Sequence, residues 1–396
     1  MPALDGMRIL DMTQYEAGTS CTQALAWLGA DVVKVEQPGR GDPGRRVRGG
    51  GDDSPYFLNW NSNKRSITID LSCERGRELF LSLVPKYHVF VENYGPGVVE
   101  KLDIGYDALR KVHPSIIYGR VKGFGSSGPY SGYKCYDMIA QAAGAAFSVT
   151  GESEGPPMRP GATMGDAGAG LQMALAITAA YVQQQRTGEG QCIDLSMQEA
   201  VTMFMRTQVA NAADWGRQAA PRNGNAAGAP TDLYPCKPFG PNDFLYIMVV
   251  TTRMWDTLCA AIDRPDLLMD PRFETGRARV EHRDELHAEI AKWTRAHDKH
   301  QAMRLLGEAG VPCSYTFDTT DLWTDPHLKA RGLIEQVNHP TQGAVDLMRS
   351  PVLMTGSQVP MVAAPLLGQH TDEVLNADLG LDPTDLEGLR TAGAIG

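Results

Sequence analysis

The first third of the chain alternates two apolar patterns. Arg8-Ile9-Leu10-Asp11-Met12 and Asp31-Val32-Val33-Lys34-Val35-Glu36 read as buried strands, and between them 18–29 places small and apolar residues on one helical face. Strand, helix, strand in this order implies a parallel pair joined by a right-handed crossover. The pattern recurs as a strand over 66–71, a helix over 75–85 and a strand over 88–93, with another strand over 116–121. An Ala-rich helix over 168–185 then leads through Thr187-Gly188-Glu189-Gly190 into a strand over 191–196. Residues 1–198 thus read as an α/β, Rossmann-like large domain with a parallel sheet.

The stretch 197–217 reads as one helix, which runs into a linker over 199–225. The irregular run from Pro221 to Pro230 marks a linker or a functional loop. A smaller α/β domain is expected over 226–328, with a strand over 244–250, three helical segments and a strand over 313–317. Residues 329–396 read as a linker and a C-terminal return to the large domain, with strands over 334–337 and 344–348 and helices over 371–378 and 384–391.

Composition narrows the function. At 42% apolar and 21% charged, 396 residues make an ordinary globular chain of two or three domains. A net charge of -10, with no basic block, argues against nucleic acid or an anionic membrane as partner. No apolar run reaches spanning length, and the first residues lack a cationic head followed by an apolar stretch, so a cytoplasmic protein is expected. The seven Cys are odd in number and never spaced C-x-x-C, which suits free thiols rather than disulfides or zinc. The His residues show no metal spacing; His297 and His300 read as part of a solvated helical face, and no metal is expected.

The turn after the first strand, Thr13-Gln14-Tyr15-Glu16-Ala17-Gly18, has one Gly and lacks the dinucleotide fingerprint, so nicotinamide and flavin are not expected. Glu36 then reads as a solvent-facing residue on a plain sheet edge. Neither a nucleophile elbow nor a P-loop is present. What stands out is Thr163-Met164-Gly165-Asp166-Ala167-Gly168-Ala169-Gly170, an acid among small residues immediately before an apolar helix. Small neighbours would admit an electrophile, and the helix start favours a nearby anion. Asp166 therefore reads either as a covalent nucleophile or as a plain N-cap, and on spacing alone the cap is preferred.

Six fragments in order change that balance. They are Ala17-Gly18 with Cys21-Thr22-Gln23 and Leu28 to Glu36; Gly41-Asp42-Pro43; Asn61 to Ile67; Val91 to Gly97 with Tyr136-Asp137; Gly165-Asp166; and Ala364 to Leu375. Together they resemble the class III CoA-transferases over nearly the whole chain, especially members that act on formyl-CoA. The resemblance implies that CoA moves from an acyl-CoA to a small carboxylic acid through an aspartyl anhydride and an aspartyl-CoA thioester on Asp166. It also implies an interlocked homodimer of two threaded chains, with coenzyme A as co-substrate. Matched position by position, the CoA contacts would be Glu16, Ala17, Gln37, Ile69, Asp70, Leu71, Asn93, Tyr94, Gly95, Lys101, Lys134, Cys135, Tyr136 and Asp137. Ala227, Gly228 and Ala229 match a Gly-rich flap over the nucleophile.

The departures bear on the substrate. Glu16 replaces a Gln, Gln37 a basic residue and Lys101 an Arg, while Ala227-Gly228-Ala229-Pro230 replaces a run of Gly. A negative Glu16 would repel a compact dianion, so the expected acceptor is a larger mono- or dicarboxylate, with oxalate the alternative. Two further readings are a 2-methylacyl-CoA racemase, which carries His where Tyr136 stands before Asp137, and a non-catalytic acyl-CoA-binding protein. Tyr136 cannot serve as the His base near neutrality.

Overall fold

Six short aliphatic runs form one parallel sheet in the order β3-β2-β1-β4-β5-β6: β1 (Arg8–Met12), β2 (Asp31–Glu36), β3 (Arg65–Thr68), β4 (Val89–Glu92), β5 (Ile117–Lys122) and β6 (Cys192–Ser196). The computed structural model describes residues 1–49 and 53–396. In the sheet Leu10 pairs with Val33 and Phe90, and the central strands are covered on both faces, so that even Asp11, Lys34, Glu36 and Glu92 on them are buried.

The crossovers supply the helices α1 (Ala17–Ala26), α2 (Pro55–Trp60), α3 (Glu74–Leu83), α4 (Val98–Lys101), α5 (Tyr106–Val112), α6 (Asp137–Ala143), α7 (Ala167–Thr187) and α8 (Met197–Phe204). Short polar side chains start several of them: Ser54 accepts from the Phe57 N–H and Ser196 from that of Glu199. Gly188, at φ 75°, ends the 21-residue α7. Leu10, Val33, Ile67, Phe80, Phe90 and Tyr118 form a core on one sheet face, together with Val374, Leu386 and Ile395 from the chain's end.

The chain divides into two units. Met1–Ser148, Met158–Ala220 and Gly332–Gly396 make the first, and Val149–Pro157 with Pro221–Arg331 make the second. Residues 199–220 thus belong to the first unit. The second carries an antiparallel sheet of β7 (Asp232–Pro235), β8 (Phe244–Ile247) and β9 (Cys313–Tyr315). Its helices are α9 (Thr252–Ala261), α10 (Gly276–Glu281), α11 (Arg283–Thr294), α12 (Lys299–Glu308), α13 (Asp321–Thr324) and α14 (Pro326–Ala330). Trp255, Leu258, Phe273, Ile290 and Leu306 fill that core. The hairpin β10 (Ile334–His339) and β11 (Gly343–Met348) precedes α15 (Thr371–Leu379) and α16 (Pro383–Thr391), and the returning tail binds the sheet edge: the Asp70 N–H donates to the Ala394 carbonyl at 2.8 Å.

Three expectations are corrected. The stretch 197–217 is not one helix: α8 stops at Phe204, a single wide turn follows over Gln208–Ala212, and Asp214 and Trp215 take left-handed backbone. Asn211, Asp214 and Gly216 are poor helix interiors. Glu36 is buried within the sheet, not at its edge; Arg45 grips both its oxygens at 2.7 and 2.8 Å, and the Ser66 hydroxyl donates at 2.6 Å. Its position at the end of β2 therefore offers nothing to a ribose. His297 and His300 share no helical face, because Asp298 caps α12 between them; His297 hydrogen-bonds the Trp293 carbonyl at 2.8 Å and His300 packs on Tyr315. Among the described residues, no helix is long and apolar enough to cross a membrane.

Candidate active site

The strand order reverses between β1 and β4, and in open parallel sheets the crevice outside the strands' carboxyl ends at such a point is where ligands bind. A cavity of about 240 Å³ lies there. Gln14, Tyr15 and Ala17 reach it from the end of β1, Asn93 to Pro96 from β4, Val121 to Gly123 from β5, and Tyr133 to Tyr136 and Asp166 close it. The first two loops are tied together: Asn93 accepts from the Gln14 N–H and returns a bond to the Gln14 carbonyl, both at 2.8 Å. Tyr15 stands at φ 58°, an unfavourable left-handed conformation for an aromatic residue, held by its N–H bond to Asp42 at 3.0 Å.

Beneath this turn lies a buried charge cluster. Lys64 donates to Asp11 at 2.9 Å, to the Thr19 carbonyl and to Asn61, while Lys34 pairs with Asp42 at 2.9 Å and donates to the Thr13 carbonyl. Burial favours the neutral Asp11, yet Lys64 and Lys34 overcome it and bring its carboxyl down to about 2.

Asp166 sits at the N-cap position of α7 but its side chain makes no capping bond, so the preferred reading of this residue from spacing alone does not hold. Its own N–H and that of Gly165 are both taken by one oxygen of Asp137, at 3.2 and 2.9 Å, while Gln141 donates to the other oxygen at 2.7 Å. The Asp166 carboxyl is left facing the cavity at the open end of a 21-residue helix. Burial first, then the charges of Glu16 and Asp137, push it up to about 7.

The small residues around Asp166 serve packing. A Cβ on Gly165 would lie 2.6 Å from the Asp137 carbonyl, one on Gly168 would strike Phe204, and one on Gly170 would lie 2.0 Å from Ser20 Oγ and 2.6 Å from the Ala17 carbonyl. Close approach of α7 to α1 and α6 is what these positions require.

Of the residues expected at the site, Ala17, Asn93, Tyr94, Gly95, Lys134, Cys135, Tyr136 and Asp166 line the cavity. Glu16 and Asp137 act behind it, on Asp166. Glu16 is only 4% exposed, and one of its oxygens, Oε1, has no hydrogen-bond partner. Burial and then Asp137 raise its pKa, against the pull of the Thr163 and Tyr56 hydroxyls. Gln37 is exposed in the turn after β2, Ile69 to Leu71 run under the C-terminal tail, and Lys101 is exposed at the end of α4; none of these lines the cavity. Ala227, Gly228 and Ala229 lie in the second unit before β7, with Gly228 at φ 102°. Burial and then Asp166 push the Cys135 thiol up to about 11, so it stays neutral and is no rival nucleophile. Sequence reasoning missed Gln14, Tyr15, Tyr56, Gln141, Lys122 and Thr163. Lys122, paired with buried Glu92 at 2.8 Å, carried a signal as a cation ending a strand beside the loop at Asn93.

Comparison with known proteins agrees with this geometry. A family profile for CoA-transferase family III matches residues 4–371. The chain is 38% identical to a formyl-CoA:oxalate CoA-transferase of Streptomyces coelicolor, over 99% of both chains. It is 36% identical to one from Rhodopseudomonas palustris, over 99% of this chain and 97% of that one. Among solved structures, a CaiB/BaiF family protein from Brucella suis superposes with a TM-score of 0.84 at 30% identity, over 95% of this chain and 99% of that chain. Rv3272 from Mycobacterium tuberculosis superposes with a TM-score of 0.81 at 27% identity, over 94% and 98%. With an uncapped acid at the switch point and a match along nearly its full length, the chain belongs to CoA-transferase family III and is a CoA-transferase.

Proposed function

We propose that Asp166 is the covalent nucleophile of a transfer of CoA from an acyl-CoA to a small carboxylic acid. The observation that carries this is its carboxyl, free of any capping role, facing the switch-point cavity at the start of α7. The ionised carboxylate attacks the thioester carbonyl and expels CoA thiolate, leaving an aspartyl acyl anhydride. The thiolate attacks the aspartyl carbonyl and releases the donor acid, leaving an aspartyl-CoA thioester. The acceptor carboxylate repeats the two steps in reverse. A pKa near neutrality suits a group that must be ionised to attack yet depart as a leaving group. The α7 N-terminus stabilises the anions that pass through the site. The cavity suits the thioester end of CoA, with Lys122 and Lys134 as the cations on its lining.

Proton abstraction of the racemase kind finds less support, because both oxygens of Asp137 are occupied in holding the Gly165-Asp166 backbone and Gln141. For the acceptor, the charge of Glu16 that raises Asp166 and the Ala-rich loop both favour an acid larger than oxalate, and oxalate, the acceptor named in the relatives, stands beside it. Incubation with an acyl-CoA and hydroxylamine tests the nucleophile: a hydroxamate on the Asp166 peptide is expected, and an unmodified peptide under turnover would refute the covalent route.

We also propose a homodimer. The buried face of α7 carries Ala169, Met173, Ile177 and Ala180, but Leu171, Leu175 and Val182, four and seven residues apart, are 60%, 73% and 44% exposed. A helix apolar all round belongs inside an assembly, and a second copy of the chain is the occupant the family resemblance supplies. Leu175→Asp is expected to halve the mass seen by light scattering or to aggregate the protein. A wild type that runs as a monomer would contradict the homodimer.

A further inference from the structure

We propose that Gln141 is a positioning residue for the transfer: its amide locks the Gly165-Asp166 turn onto α6 through the Asp137 carboxylate, and so holds the nucleophile's backbone still while bonds form and break at its carboxyl. This deepens the reading of Asp166 as the nucleophile and rests on it. Gln141 is wholly buried and does not line the cavity, so it acts through other groups.

Asp137 and Gln141 stand four residues apart on α6, about one turn of helix, so their side chains share a face. That face meets the turn before α7. One Asp137 oxygen takes the N–H groups of Gly165 and Asp166, at 2.9 and 3.2 Å, and the other takes the Gln141 amide at 2.7 Å. The same Gln141 nitrogen donates to the Ala162 carbonyl at 2.9 Å. Gln141 therefore grips the turn at both ends, at Ala162 directly and at Asp166 through Asp137. Gly165 lets the two segments close on each other, since a Cβ there would lie 3.1 Å from that of Ala140.

The amide is costly where it stands. Its Oε1 is buried and has no hydrogen-bond partner, a loss that an apolar side chain of the same length would avoid. A Gln–Asp pair at this spacing adds little to a helix by itself. What the site gains is a pair of donor bonds without a charge. A Lys or Arg here would hold Asp137 as well, but it would cancel part of the negative charge that, with Glu16, keeps Asp166 near neutrality. The demand on position is strict, because the Asp166 carboxyl attacks in one step and is the carbonyl attacked in the next. A displacement of about 1 Å costs on the order of a hundredfold in rate.

The test compares wild type with Gln141→Met, which keeps the length and removes the donors, and Gln141→Glu, which keeps the shape and turns a second acid toward Asp137. With formyl-CoA as donor and oxalate or succinate as acceptor, kcat should fall about 10- to 100-fold in both variants. KM for the CoA ester should stay within about twofold, because no group on the cavity lining has changed. A kcat equal to that of wild type would overturn the proposal, as would a KM that rises while kcat holds. Amide hydrogen exchange reads the turn without turnover: the Gly165 and Asp166 N–H groups should exchange faster in Gln141→Met, and those joining β1 to β4 should not. Unchanged exchange at the turn would overturn the assignment. Faster exchange across the sheet would do the same, since Gln141 would then serve the fold as a whole. Faster exchange confined to the turn, with no hydroxamate on Asp166 in wild type, would instead refute the covalent reaction and leave the hold of Gln141 on the turn standing.

Discussion

Asp166→Asn should abolish CoA transfer and, at neutral pH, make the protein more stable. The amide cannot form the anhydride, so transfer should fall on the order of 10⁴- to 10⁶-fold, as loss of a covalent nucleophile does. The second effect follows from the proton linkage. Burial, Glu16 and Asp137 raise this carboxyl from 3.8 to about 7, so the folded protein holds a proton there that the unfolded chain has released. Stability therefore declines as pH rises from about 4 to about 7, and above that the whole cost is present. Asparagine removes it, for a gain of about 1–3 kcal/mol at pH 8 and none near pH 4. In a chain of this length that is on the order of 1–3 °C in Tm. No capping bond is lost to offset the gain, because Asp166 makes none. Thermal unfolding at the two pH values checks it; a variant inactive and less stable at pH 8 would mean that Asp166 serves the fold rather than the reaction.

Lys64→Met should cost about 3–5 kcal/mol of unfolding free energy, the usual result of stranding one partner of a buried ion pair. Lys64 and Asp11 are both fully buried, and the ammonium donates to three acceptors, one on β1, one on α1 and one after α2. Methionine keeps the stem but leaves Asp11 with only the Thr13 and Thr22 donors and the more distant charge of Lys34. Urea unfolding of the single variant and of Asp11→Leu/Lys64→Met separates the two contributions, since removing both charges should restore much of the loss. A loss under 1 kcal/mol in the single variant would show that water reaches the pair. The stability Asp11 contributes is present above pH 3.8 and disappears as pH falls through about 2, so the variant and wild type should converge at the acid end.

How far the chain could be read follows from which interactions are local. Strands such as Asp31–Glu36 were legible to the residue, because Val32, Val33 and Val35 fall together between glycine- and proline-bearing turns. Helix α7 was legible, apart from its final turn, because Gly188 closes it. By contrast, β7 went unseen: four residues, Asp232-Leu233-Tyr234-Pro235, carry no alternation, and its partner β8 fixes it. Glu36 was misplaced because its partner Arg45 lies nine residues on and its other contacts come from the Asp42 N–H and from a neighbouring strand. At the site, Gly165-Asp166 could be singled out, but not that Asp137 holds it, since that bond spans 28 residues of sequence. Tyr56 and Gln141 left no trace in the pattern, for a Tyr on a short helix and a Gln among alanines look like any surface residue.

Gly170 has a bearing on how mutational scans of this enzyme should be read. It has no side chain to offer, yet its Cα rests against Ser20 and the Ala17 carbonyl, one turn of helix from the nucleophile. In an alanine scan, a position is ranked by what is taken away, and here the single methyl would be added. Alanine at Gly170 would push the end of α7 off α1 and carry Asp166 away from Glu16, so the screen would score a residue with no chemistry beside the one that performs it. The tolerance map of this protein is therefore inverted around its centre: the sites least open to change are those with the least to lose.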